Sequence, residues 1–202
     1  MSIVTEKFFR SVGVGAQYTC FKSIEVGAVN GYDAQVSKLK NVAKIDTTEE
    51  ATTAPAWGSN EQADQDIIRS APTLGIETLA YPANILIRMQ GGAKTGAFVK
   101  RGGMNEGEEF AHGVVYPMKG GHYKYVWYPR CKLVSANHSA QTKDDKGINS
   151  QNKTVNIQVM EFDEDGNWEI AYYTELVPDG ETPITEAEFF AAPLLAPIEV
   201  AP

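Results

Sequence analysis

Three histidines, two cysteines and a surplus of carboxylates are the side chains on which any chemistry would rest. His112, His122 and His138 have no Cys, Asp or second His at the i+2 to i+4 spacing of a zinc site. No serine elbow or cysteine-nucleophile motif accompanies them, so they read as strand and turn histidines with hydrogen-bonded rings. Cys20 and Cys131 stand far apart without ligand-spaced neighbours, as expected of two small buried apolar residues in a chain made in a reducing cytosol. The segment "GGAKTG" at 91–96 has the flavour of a phosphate loop, but Ala93 separates Gly92 from Lys94 and the segment follows a helix pattern instead of opening one. It reads as a turn. Asp163, Asp165 and Gly166 suggest a calcium loop, yet an EF-hand loop needs glycine at its sixth position and glutamate at its twelfth. Here Gly166 is fourth and Thr174 twelfth, so an acidic turn is expected. Glu106, Glu108 and Glu109 crowd beside Gly107 as a solvated turn would, although counting alone does not decide against a catalytic pair. No catalytic, cofactor-binding or metal-binding residue is assigned, and the expectation is a protein that is not an enzyme.

Composition narrows the classes further. The 202 residues suit a single domain over 1–202, and the net charge of -8 leaves no basic surface for gripping phosphates or anionic lipid. The opening "MSIVTEKFFRSVGVGAQ" lacks an apolar core of secretory length, and no stretch approaches the ~20 apolar residues of a membrane helix. A soluble product is expected.

The apolar residues mostly alternate with period two between Gly, Asn and Asp clusters, so the fold class is mainly β. "TVNIQVMEF" and "WEIAYYT" read as a hairpin with Asp165-Gly166 at its turn, and Trp168, Ile170 and Tyr172 sharing a face. "EEFAHGVVYP" and "HYKYVWYPRCKLVSA" read as a second strand pair joined through Gly120 and Gly121, with Tyr123, Tyr125 and Trp127 on one side. "AQYTCFKSIEV", "NVAKIDTT" and "PTLGIETL" are further strand candidates. In "YPANILIRMQGG" a short helix is predicted with Pro82 at its first position, an Ile85, Leu86, Met89 stripe, and Gly91 at its end. Near the C-terminus, residues 185–192 are predicted as a short helix opened by a Thr185–Glu188 capping box with an Ile184–Phe189 staple.

Two long polar stretches, 47–66 and 142–153, cannot bury themselves, and loops of such length are commonly functional. In the first, Trp57 is either an anchor for a partner or an ordinary packed aromatic. Thr53, Pro55, Trp57, Gly58, Asn60 and Gln62 are the candidate subunit-interface residues of this arm.

The order of these parts, and above all "HYKYVWYPRCKLVSANHSAQTKDDK", "PAWGSNEQADQ" and "YPANILIRMQGG", resembles the major tail protein (tail tube protein) family of long-tailed bacteriophages of Gram-positive hosts. The resemblance covers roughly residues 35 to 192. The chain departs from the usual pattern at Trp57 and Pro129. What the resemblance implies is a tail-tube fold: two packed antiparallel sheets, sandwich- or barrel-like, flanked by a short α-helix and carrying long assembly arms. It further implies hexameric rings stacked into a hollow virion tail that conducts phage DNA without binding it tightly. The implied partners are further copies of the chain, a tape measure protein, a tail terminator and distal tail or baseplate proteins, with assembly in the host cytoplasm, no cofactor and no membrane. Acidic walls suit such a conduit, since they repel phosphates. A rival of another class is a β-sandwich carbohydrate- or ligand-binding module, with Tyr123, Tyr125, Trp127 and Tyr128 as its stacking platform.

Overall fold

A computed structural model describes residues 9–23, 29–40, 42–58, 61–138, 153–178 and 180–198. Over these the alternating runs become twelve strands. The first six are β1 (Gln17–Phe21), β2 (Ser37–Leu39), β3 (Val42–Thr48), β4 (Ala51–Gly58), β5 (Glu61–Arg69) and β6 (Thr73–Thr78). Helix α1 (Ala83–Met89) precedes β7 (Ala93–Thr95), β8 (Phe98–Lys100), β9 (Phe110–Pro117) and β10 (Tyr123–His138). After β11 (Lys153–Met160) and β12 (Ile170–Tyr173) comes helix α2 (Glu186–Phe189).

Eight strands form one antiparallel sheet in the order β2-β1-β9-β10-β11-β6-β3, with β12 also on β10. The mainly β expectation holds, as one large antiparallel sheet with the two-stranded β4–β5 and β7–β8 pairs beside it. The large sheet is organised around β10, sixteen residues long and irregular between Tyr128 and Cys131 and again between Leu133 and Ser135. Bulges bend and twist a strand, and Pro129 has no N–H with which to keep the ladder regular. The first half of β10 therefore pairs with β9 and β12, and the second half with β11. The sheet curls far enough that Ile45 and Thr47 of β3 border the same hollow as Tyr116 of β9 and Tyr128 of β10.

Each face of the sheet carries its own apolar layer. Inside the curl, Phe110, Val114, Val126, Leu74, Ile76 and Ile157 pack under Ile85 and Met89 of α1. On the other face, Tyr18, Val115, Tyr125 and Trp127 are covered by Phe189 and Phe190 at the end of α2. Pro82 stands at the N-cap of α1, one position earlier than predicted, and Gly91 ends the helix at φ +66. Arg88 of α1 bridges Asp33 at 2.7 Å and Glu108 at 2.6 Å while covering the Phe21 ring. The capping box of α2 is present, but the helix is shorter than 185–192, because the chain turns after Phe189 to seat Phe190 against Tyr18.

The β9–β10 hairpin forms as read, with Gly120 and Gly121 at positive φ. The other predicted hairpin does not. β11 and β12 pair with successive parts of β10 and not with each other. Between them the chain makes a closed local turn: the Phe162 N–H donates to the Asn167 carbonyl at 2.9 Å, and the Asp163 carboxylate accepts from Asn167 at 2.8 Å. One interrupted strand line thus resumes after an excursion. Trp168 packs in the inner layer with Ala171 and Tyr172 in the outer, so they do not share the predicted face.

Candidate assembly site

The polar stretch 47–66 is a β-ribbon. β3 and β6 pair from Val42↔Thr78 to Thr48↔Thr73, and the same two chain directions continue as β4 and β5 from Ala51↔Arg69 to Gly58↔Glu61. A backbone bond from the Ser70 N–H to the Glu50 carbonyl, 2.9 Å, bridges the step between them. The ribbon carries the β3–β6 pair beyond the main sheet by roughly 27 Å at the usual rise of an antiparallel strand. Among the described residues no third strand pairs with it.

Of the six candidate interface residues, Thr53 is exposed opposite Ile67, Pro55 stands opposite Gln65, Trp57 opposite Gln62, and Gly58 closes the last rung with Glu61. Asn60 lies outside the described residues. The register slips between Ala56 and Trp57. Proline suits an edge strand, in which every second N–H points away from the partner and makes no ladder bond. The second polar stretch, 142–153, falls outside the described residues except for Lys153, the first residue of β11. Among the described residues, further unpaired edges lie along β2, β3 and the outer side of β12.

The side chains that could do chemistry are dispersed. His112 is fully buried inside the curl, His122 stacks on Phe9 with ring centroids 4.4 Å apart, and His138 is exposed at the far end of β10. His112 also corrects the expectation of a hydrogen-bonded ring: neither nitrogen has a partner among the described residues, and burial pushes its pKa down to about 4. Cys20 and Cys131 lie on opposite faces of the sheet, and burial raises both thiols, Cys20 to about 11, so each stays protonated and unreactive. Lys94 sits in strand β7 of a small hairpin with β8, so "GGAKTG" is no phosphate loop, but it is largely strand and not the turn expected. The acidic turn holds Asp163 ionised below the usual carboxylate range through its bonds from Asn167. Glu109 is no solvated turn residue: it faces Lys22 at 3.2 Å, Arg130 at 3.3 Å and Lys132 at 3.8 Å. Among the described residues no group of three His, Cys, Asp or Glu side chains is placed to hold a metal.

Compared with known proteins, the chain matches no family model and no curated protein. The aromatic platform of the rival reading is not on the surface. Trp127 is fully buried and its indole N–H donates to the Phe189 carbonyl at 3.0 Å, Tyr125 is buried beside it, and Tyr128 points to the opposite face. Only Tyr123 is exposed, stacked on Tyr125. An open hollow of about 340 Å³ between β3 and the β9–β10 pair offers Tyr116, Tyr128, Lys124 and Glu169. Burial raises both phenols there, making them hydrogen-bond groups and poor bases.

One surface escaped the sequence reading. The β7–β8 hairpin and the loop after it expose Phe98 at 81 % and Met104 at 99 %. The sequence does carry a signal for it, a run free of acidic residues from Thr78 to Asn105 in an otherwise acidic chain.

Proposed function

We propose that the chain is a structural subunit of the phage tail-tube type, which self-assembles into stacked hexameric rings enclosing a DNA conduit in the virion. The observation that carries this reading is the β4–β5 ribbon. Two strands standing alone in water are marginal, since they lack the third strand or covering helix that gives a sheet independent stability. A neighbouring subunit that receives the ribbon supplies that cover, and each copy both gives and receives. The unpaired edges of β2, β3 and β12 add backbone donors and acceptors that a neighbour's strands can take up. The net charge of -8 keeps DNA from adhering to a wall built of such subunits.

Negative-stain microscopy of the purified protein tests the reading, with Trp57→Ala beside the wild type. Rings or tubes are expected for the wild type. Loss of the indole should cost on the order of 2 kcal/mol per contact and stop tube growth while the monomer's melting temperature stays the same. A wild type that sediments as a monomer at high concentration and at every ionic strength would overturn the proposal. A mutant that melts far lower would place Trp57 in ordinary intramolecular packing.

A further inference from the structure

Charge is segregated along this chain in a way that its net value conceals. From Thr78 to Asn105 there are four cations, Arg88, Lys94, Lys100 and Arg101, and no Asp or Glu. Residues 154–202 are the reverse, with eleven Asp or Glu and no Lys or Arg. Arg88 is consumed by Asp33 and Glu108, whereas Lys94, Lys100 and Arg101 form no ion pair among the described residues. These three lie in or beside the hairpin that bears the most exposed large apolar side chains among the described residues, Phe98 and Met104: Lys100 shares a face with Phe98, and Lys94 stands on the other face.

The acidic segment has an apolar surface of its own. Leu176 is 73 % exposed, Leu195 44 % and Ile198 39 %. Beside them Tyr172, Leu176, Val177 and Pro178, with Glu181 and Thr182 at the rim, line an open hollow of about 270 Å³. One oxygen of Glu175 next to it is buried without a hydrogen-bond donor among the described residues.

The two surfaces cannot meet within one molecule. Arg101 and Asn105 border Leu133–Ala136 of β10, while the acidic hollow is built on β12, which pairs with Lys124–Trp127. These stretches of β10 are separated by roughly 20 to 40 Å along an extended strand. A basic, apolar knob and an acidic, apolar socket at opposite ends of one subunit satisfy each other only between copies. Such a head-to-tail contact leaves the same pair of surfaces free at each end, and so builds rings or filaments.

We propose that the β7–β8 hairpin of one copy docks, through Phe98 and Lys100 with Lys94 adding positive charge from the other face, into the Glu181-rimmed hollow beside β12 of a second copy. This rests on the self-assembly reading above and names a contact separate from the β4–β5 ribbon. All the residues to be changed are exposed, so the fold should be unaffected; melting temperature checks this.

Sedimentation of Phe98→Ser/Lys100→Glu should show association weakened at least about tenfold, and wild-type association should weaken as salt rises. Lys94→Glu/Lys100→Glu and Glu181→Lys/Thr182→Lys should each associate poorly alone and regain association when mixed, because each then meets a complementary surface. If the hairpin variants assemble like wild type while Trp57→Ala does not, this contact is wrong and the self-assembly reading stands. If the wild type never associates, both fall. Binding of the wild type to phosphatidylserine vesicles, lost in Phe98→Ser/Lys100→Glu with association unchanged, would reassign the hairpin to a lipid surface and overturn the docking.

Discussion

His112 sits between Thr19 and Tyr128 in the register of β9 with its neighbours, fully enclosed, and shares the interior with the polar side chains of Thr19, Tyr81 and Gln17, the last also without a hydrogen-bond partner among the described residues. An imidazole so placed folds neutral. In the unfolded chain it takes a proton near pH 6.5, and in the folded chain only near pH 4. The unfolded state thus binds more protons as the pH falls, so stability is full above about 6.5 and declines until about 4, a loss on the order of 3 kcal/mol. The carboxylates held low by their partners, Glu109 and Glu186 among them, add their own loss only at lower pH. Urea unfolding of His112→Leu between pH 6.5 and 5 should therefore show a flatter pH dependence than the wild type. An unchanged slope would mean that the ring is not buried neutral.

At the scale of elements, α2 is four residues long and owes its place to its cap and its two phenylalanines. The Thr185 hydroxyl accepts from the Glu188 N–H at 3.3 Å while the Glu188 carboxylate accepts from the Thr185 N–H at 2.8 Å. So short a helix has almost no internal stability. It is held by Phe189 and Phe190 against Trp127, Tyr125 and Tyr18. Thr185→Ala removes the cap and should lower unfolding stability by about 1 kcal/mol with an unchanged denaturant slope. A reduced slope would show that α2 detaches before the sheet unfolds. The opposite helix, α1, is clamped differently: the Glu108 N–H donates to the Arg88 carbonyl, and a Cβ on Gly107 would stand 1.9 Å from the Met89 carbonyl oxygen.

For the whole molecule, net charge and charge placement make separate predictions. At -8, the protein should show no duplex DNA binding tighter than micromolar in an electrophoretic shift at physiological salt. Contact through the basic hairpin alone, with Lys94, Lys100 and Arg101, would neutralise about three phosphates and give a slope of roughly -3 in log K against log salt. A steeper slope or tighter binding would argue against a conduit wall that repels its passenger. The proposed head-to-tail contact draws on two of these cations, Lys94 and Lys100, and would weaken with salt in the same way, so the DNA measurement belongs at a protein concentration below that of self-association.

Period-two alternation is a local property, fixed by where side chains point along a strand, and it was enough to read β1, β3, β6, β9, β10 and β11 from the residues alone. Capping chemistry is local too, so Thr185 and Glu188 announced α2, and the Gly120-Gly121 turn announced the β9–β10 hairpin. Which strands pair is decided by burial between distant segments. β11 and β12 looked like hairpin partners because they are neighbours in sequence, yet each buries more by lying against β10, whose length and bulges no local pattern reveals. The ribbon was legible as a long polar arm with Thr53, Pro55, Trp57 and Gln62 along it, but not as strands, because without an apolar face its alternation leaves no trace in hydrophobicity. The buried polar side chains around His112 and the exposed Phe98 follow the same logic: residue type sets a preference for inside or outside, and only the folded sheet decides which residues the preference loses.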